Sequence, residues 1–255
     1  MTREKQSRIG LSLATLFLLS WLALHLGAIF GVSLSAEIVP ATILLILLQS
    51  WLSTALFITA HDAMHGALTP AWPRLQRRLG QAAMWIYAGL DYRQFEPKHF
   101  EHHKHVGTAG DPDFDADNPT RFGPWLVAFF SRYYTHAQIG RITVVAIAYM
   151  LLGASLLNIV IFWAVPALLA LLQLFYFGTY LPHRHGGDAF VDHHKARSTR
   201  LPDLLSLITC FHFGGYHHEH HLYPSEPWWR LPARRRAEAQ SRSKSAAYVP
   251  SRSST

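Results

Sequence analysis

The chain has 255 residues, half of them apolar and only 15% charged, with a net charge of +7. Length bounds it to one good-sized domain or two small ones, and the single cysteine, Cys210, excludes a disulfide framework or a cysteine-based zinc ribbon. The basic residues sit in loops around long apolar runs, so the charge balance needs no nucleic-acid partner to explain it.

Met1–Arg8 is a short basic head. Residues 9–36 and 38–60 carry no Asp, Glu, Lys or Arg, and each gap is long enough for one membrane crossing of about 20 residues; spans are expected at 9–31 and 38–60. The first run is too long for the core of a signal peptide and a second follows it, so it reads as an anchor. The second ends in FITAHDAMHG, whose helical pattern should continue to Gly66, a natural C-terminal stop, with Pro70 beyond. AWPRLQRRLG alternates apolar and basic residues at helical spacing, as a helix lying on an anionic membrane surface does. QAAMWIYAGLDY, residues 81–92, is apolar but too short to cross, hence interfacial or re-entrant. FEPKHFEHHKHVG should start a helix at Pro97, a favoured first position. TAGDPDFDADNP then breaks regular structure, and PWLVAFFSRYY again reads as interfacial.

Residues 142–183 form a charge-free stretch about twice the length of one crossing. A hairpin of spans 142–160 and 162–181, turning near residues 158–166, is expected there. The tail 237–255 is rich in Ser and Arg, lacks a hydrophobic face and is expected to be disordered. The fold class is therefore an all-α integral membrane protein: one domain, residues 1–236, with four transmembrane helices. Lys and Arg gather in the head, in 70–141 and after 183, and are absent around Glu37. Both termini and the middle loop are thus expected on the cytoplasmic side.

Seventeen histidines are present, and only His25 falls inside an expected span away from its cytoplasmic end. HDAMH places His61 and His65 four apart, on one face of a helix. HFEHHKH places His99, His102 and His103 at i, i+3 and i+4, again one face, with His105 pointing elsewhere. GYHHEHHLYP repeats that pattern with His217, His220 and His221. A grouping of His217, His218 and His221 applies only if this segment is not helical. His183, in TYLPHRHG, stands where the last span leaves the membrane. One metal rarely takes more than about six ligands, so nine candidates imply two metals.

Neutral imidazole suits Zn, Cu, Fe and Ni. A catalytic zinc takes about three protein ligands and a water, whereas two redox metals with about four or five imidazoles each keep open positions for O₂. Such a site beside a bilayer suits oxidation of a lipid C–H bond. Asp62, Glu101 and Glu219 sit inside the boxes and are candidates to orient imidazole N–H groups, with His218 beside them. His25, His105, His136, His185, His193, His194 and His212 are left to packing or solvation, His193 and His194 being nearest to an orienting role.

The boxes HDAMH, HFEHH and HHEHH resemble those of the membrane fatty-acid desaturase and hydroxylase superfamily. HDAMHG, GTAGDPDF, FGTYLPHRHG and CFHFGGYHHEHHLYPSEPWWRLP are together closer to the bacterial β-carotene ketolases, the carotenoid 4,4′-oxygenases. The resemblance runs from about Leu56 to Pro232. It implies a cytoplasmic cap holding two non-haem iron ions on His61, His65, His99, His102, His103, His183, His217, His220 and His221. It also implies O₂ as co-substrate, electrons from a ferredoxin-type donor, and oxidation of the allylic C4 methylene of a β-ionone ring in the bacterial inner membrane. β-Carotene would become echinenone and then canthaxanthin, and 3-hydroxylated rings would lead to astaxanthin. The carotenoid would lie in the bilayer, against membrane lipid. Trp85, Tyr87, Phe95, Phe129 and Phe130 are candidates to line its path. A fatty-acyl desaturase or hydroxylase with the same metal site is the nearest alternative. A non-enzymatic metal carrier is a remote one, since these spans offer almost no ionisable groups for a path.

Overall fold

A computed structural model describes residues 1–187 and 189–247, with side chains of the last helix as far as Ser241. Among them there is no strand. The elements in chain order are α1 (Arg3–Gly31), α2 (Ala36–Met64), α3 (Pro73–Ala88), α4 (Tyr92–His105), α5 (Phe122–Tyr133), α6 (His136–Leu151) and α7 (Leu156–His183). Then come α8 (Asp203–Cys210), α9 (His217–Leu222), a single 3₁₀ turn at Trp228–Arg230, and α10 (Leu231–Ala247).

The centre of the molecule is α2, which packs on α1, α3 and α7. Along α1 the residues that face inward are Ala14, Phe17, Trp21 and Ala28, while Leu16, Leu19 and Phe30 point outward. On α2, Ile43, Leu44 and Leu47 also point outward. Such an apolar exterior suits lipid and not water. Two polar pairs tie the helices together inside: Trp21 Nε1 donates to Ser53 Oγ at 2.9 Å, and Ser50 Oγ donates to the Pro166 carbonyl at 3.0 Å.

Among the described residues three helices, α1, α2 and α7, are long and apolar enough to cross a membrane. The expected fourth is shorter: α6 is apolar over 16 residues, about 24 Å at 1.5 Å per residue against a hydrocarbon core of about 30 Å. The turn expected near residues 158–166 lies instead at Leu152–Ser155. Gly153 adopts φ +96° there, and Ser155 caps the next helix by accepting from the Asn158 N–H at 3.0 Å. Pro166 does not break α7, because a wide turn at Val160–Ala164, in which the Val165 N–H reaches the Val160 carbonyl, precedes it and reroutes the bonds that proline cannot make.

Asn158 closes the far end of the bundle. Its Nδ2 donates to the carbonyls of Ile29 at 3.0 Å and Val32 at 2.9 Å, at the C-terminal end of α1 that otherwise lacks partners. Asn158→Leu strands those carbonyls in an apolar setting. It is expected to lower stability by about 1–3 kcal/mol, read as a lower thermal midpoint in detergent; an unchanged midpoint would show that packing alone holds this end.

Two further expectations change. Most of AWPRLQRRLG and QAAMWIYAGLDY, from Pro73 to Ala88, is one continuous helix, α3, which lies directly on α2: a Cβ on Gly80 would meet the Ala63 Cβ at 2.9 Å. The tail expected to be disordered from 237 is helical to Ala247. Its first turns are anchored by Arg234 over the Tyr223 ring and Arg235 on Glu219. Residues 248–255 lie outside the described residues.

Candidate metal centre

Four helix ends meet at one side of the bundle. The last turn and cap of α2 carry His61 and His65, the last two turns of α4 carry His99, His102 and His103, the end of α7 carries His183, and α9 carries His217, His220 and His221. The end of α2 is held firmly: Gly66 takes φ +72°, and the N–H groups of Ala67 and Leu68 turn back onto the Asp62 carbonyl. α4 begins at Tyr92 and not at Pro97, because Asp91 caps it by accepting from the Arg93 N–H at 2.9 Å. Pro97 is thereby interior, within the first two turns.

The ring nitrogens fall into two groups. His61, His65, His99, His103 and His220 form one, and His102, His183, His217 and His221 the other; within each, the potential ligand atoms lie within 4.8 Å of one another. Pairs of Nε2 atoms face each other at 2.6 Å (His65 and His99) and 3.2 Å (His103 and His220) in the first group. In the second they do so at 2.8 Å (His183 and His217) and 3.0 Å (His217 and His221). The groups adjoin, with the rings of His103 and His221 stacked at 4.4 Å. The i, i+3, i+4 triplets do not stay together. His99 and His103 go to one group and His102 to the other; His217 and His221 go together and His220 crosses over. α9 is helical, so the register that sets His218 apart from His217, His220 and His221 holds.

Burial, and then repulsion from neighbouring imidazoles, keeps His65, His99, His103, His217, His220 and His221 below the ordinary histidine value. These rings are neutral at neutral pH, the form that ligates a metal. Convergent imidazole nitrogens, five and four, suit divalent first-row transition ions and exceed the complement of one catalytic zinc. His102 differs: burial opposes its protonation, but Asp113 and Asp111 outweigh that and raise its value.

The carboxylate turned onto a box histidine is one the sequence reading missed. Asp111 Oδ1 lies 2.9 Å from His102 Nδ1, while the N–H groups of Gly107 and Asp113 each donate to Asp111 at 2.8 Å. Asp113 stands behind it, 3.9 Å from His102 and bonded by the Tyr133 hydroxyl. Both lie in GTAGDPDF, a motif noticed in the sequence but given no role, since an irregular loop has no periodicity to aim its side chains. A backbone group serves His183, whose Nδ1 is 2.9 Å from the Lys195 carbonyl.

The orienting roles expected inside the boxes are mostly not seen. Asp62 is buried and 3.8 Å from His61 Nδ1, and it accepts from the Trp228 N–H at 3.1 Å. Glu101 is exposed and pairs with His105 at 3.2 Å, because it lies on the outer face of α4. Glu219 points to the other side of α9, where Arg235 grips it at 2.6 and 2.7 Å and Ser198 donates at 2.5 Å. His218 reaches Asp192 Oδ2 at 2.8 Å.

A cavity of about 360 Å³ leads to both groups. Along α7 it is lined from Ile159 to Thr179, a run of about 30 Å at 1.5 Å per residue. Tyr87, Phe95, Phe129 and Phe130 line it, and His61, His99, His103, His217, His220 and His221 wall one end. Trp85 does not line it; on the opposite face of α3 from Tyr87, it is 51% exposed and borders a separate cleft with Trp21 and Tyr149.

Comparison with known proteins points the same way. The model of the fatty acid desaturase family matches residues 36–142 and 131–252. The β-carotene ketolase of Paracoccus sp. strain N81106 is 48% identical over 216 residues, covering 85% of this chain and 88% of its own. That of Paracoccus sp. strain PC1 is 47% identical over 228 residues, covering 89% and 93%. The β-carotene 4-ketolase 3 of the alga Haematococcus lacustris is 36% identical over 255 residues, covering 89% and 79%.

Proposed function

We infer the reaction from a plain premise: the chain belongs to the fatty acid desaturase family, and over most of its length it is 47–48% identical to bacterial β-carotene ketolases. It is a membrane oxidoreductase that ketolates carotenoids. The finer reading is that the C4 methylene of a β-ionone ring is hydroxylated twice. The geminal diol then loses water to leave the ketone, giving echinenone and canthaxanthin from β-carotene and astaxanthin from hydroxylated rings. Each hydroxylation consumes one O₂, two electrons from a ferredoxin-type donor and two protons, and releases one water.

Two iron ions fit the donor set, one on His61, His65, His99, His103 and His220, the other on His102, His183, His217 and His221. When bound, they supply the oxidising power, drawn from O₂, that an allylic C–H bond demands. The chain does the rest. Tyr87, Phe95, Phe129 and Phe130 give an apolar, water-excluding bed for a rigid hydrocarbon, and hold one ring end against the histidine wall. Asp111, ionised against His102 Nδ1, fixes that ring with its other nitrogen inward. The distribution of Lys and Arg supports the site and both termini on the cytoplasmic side, and the likeness to Paracoccus proteins supports a bacterial inner membrane.

The observation that carries the reading is the long apolar cavity ending on the two histidine groups. Expression in a host that accumulates β-carotene tests it: orange-red ketocarotenoid, identified by chromatography and mass, is the expected product. Unchanged β-carotene with altered acyl-chain unsaturation would favour a fatty-acyl desaturase instead.

A further inference from the structure

Away from the nine box histidines, a second kind of ligand cluster stands at the protein surface. Asp192, His193 and His194, in the loop between α7 and α8, hold their potential ligand atoms within 4.8 Å of one another. A fourth donor comes from α9, since His218 Nε2 lies 2.8 Å from Asp192 Oδ2. The rings of His193 and His194 sit 4.1 Å apart beside the same carboxylate. A simple ion pair of His218 with Asp192 accounts for two of these four groups and leaves the adjoining histidines unexplained.

The position of the cluster gives it meaning. The box ligands of the second group are all buried, so an ion bound from solvent must first pass something at the surface. His193 is exposed, and the side chains of Asp192 and His218 are 29% and 18% accessible. The His194 ring lies 6.0 Å from that of His221, and His218 directly follows His217 in the chain. The same loop covers the second group: the Lys195 carbonyl faces His183 Nδ1, and Lys195 Nζ crosses to the Gly107 carbonyl at 3.3 Å. Three imidazoles and one carboxylate are a donor set for a divalent first-row transition ion, whereas magnesium and calcium want oxygen ligands.

We propose that Asp192, His193, His194 and His218 form a third, exchangeable site for a divalent transition-metal ion, from which metal passes by ligand exchange to His221 and His217. The passage rests on the reading of the nine box histidines as a metal centre; the surface site does not.

The test uses the full chain, purified in detergent and loaded with Fe(II), then titrated with Co(II) while bound metal is measured by equilibrium dialysis and elemental analysis. One Co(II) beyond the tightly held iron, stripped by brief exposure to a chelator, is expected. His193→Ala and Asp192→Asn should each weaken it by about tenfold or more, while the tightly held iron stays. No additional Co(II) in the wild-type chain, or an additional Co(II) indifferent to both substitutions, overturns the site. In a second arm, metal-free protein is given Fe(II), and uptake is followed in time. The two variants should load several-fold more slowly to the same final iron content; equal rates overturn the passage. Purified protein holding no iron in any preparation would instead overturn the metal-centre reading, and the Co(II) titration would still decide the surface site.

Discussion

His220→Ala and His102→Ala are each expected to abolish ketone formation, although the two residues belong to different nitrogen groups. Each removes a buried donor from a set whose members hold one another in place through contacting rings. Iron content should fall from about two towards one per chain, because metal affinity here depends on the full complement of imidazole donors. His105→Ala is the control: it lies on the outer face of α4, paired with Glu101, and should keep both iron and activity. Product by chromatography, iron by elemental analysis and membrane insertion by fractionation read the outcome. Ketone at wild-type levels in either variant would remove that residue from the ligand set.

Asp111→Asn is expected to cost about 10–100-fold in metal affinity or rate. The change keeps the shape and removes the charge that faces His102 Nδ1 and receives two backbone N–H groups. Burial alone would raise the Asp111 value, but His102 and those N–H groups outweigh it, so the carboxylate is held below the ordinary range. A depressed value means that its contribution is fully present above the ordinary carboxylate pKa, at neutral and mildly acidic pH. It is lost only as pH falls through the lowered value. Wild-type iron content and rate in Asp111→Asn, beside a dead His102→Ala, would reduce Asp111 to a turn-forming residue.

Much of this protein is legible in its sequence because the relevant signals are local. Charge-free runs mark α1, α2 and α7, since lipid tolerates few charges. Spacing marks the box histidines, since an α-helix repeats every 3.6 residues. Signals that depend on irregular chain are weaker. Asp111 lies in a loop without periodicity, and the turn before α7 depends on Gly153 and Ser155 and not on the proline further on. Trp85 and Tyr87 are two residues apart on one apolar stretch, and only the packing of α3 on α2 sends Tyr87 inward and Trp85 outward.

By itself the sequence determined which histidines gather and that two metals are implied; the division between the groups was a matter of tertiary structure. Each helix turns about 100° per residue, so positions four apart nearly coincide, while positions three and four along diverge by about 100°. His61 with His65, His99 with His103, and His217 with His221 accordingly stay paired. The third-position residues, His102 and His220, swap across, because α4 and α9 face each other over the site and each presents two edges to it. A one-dimensional pattern specifies the faces of each helix, but only their crossing decides which edges meet.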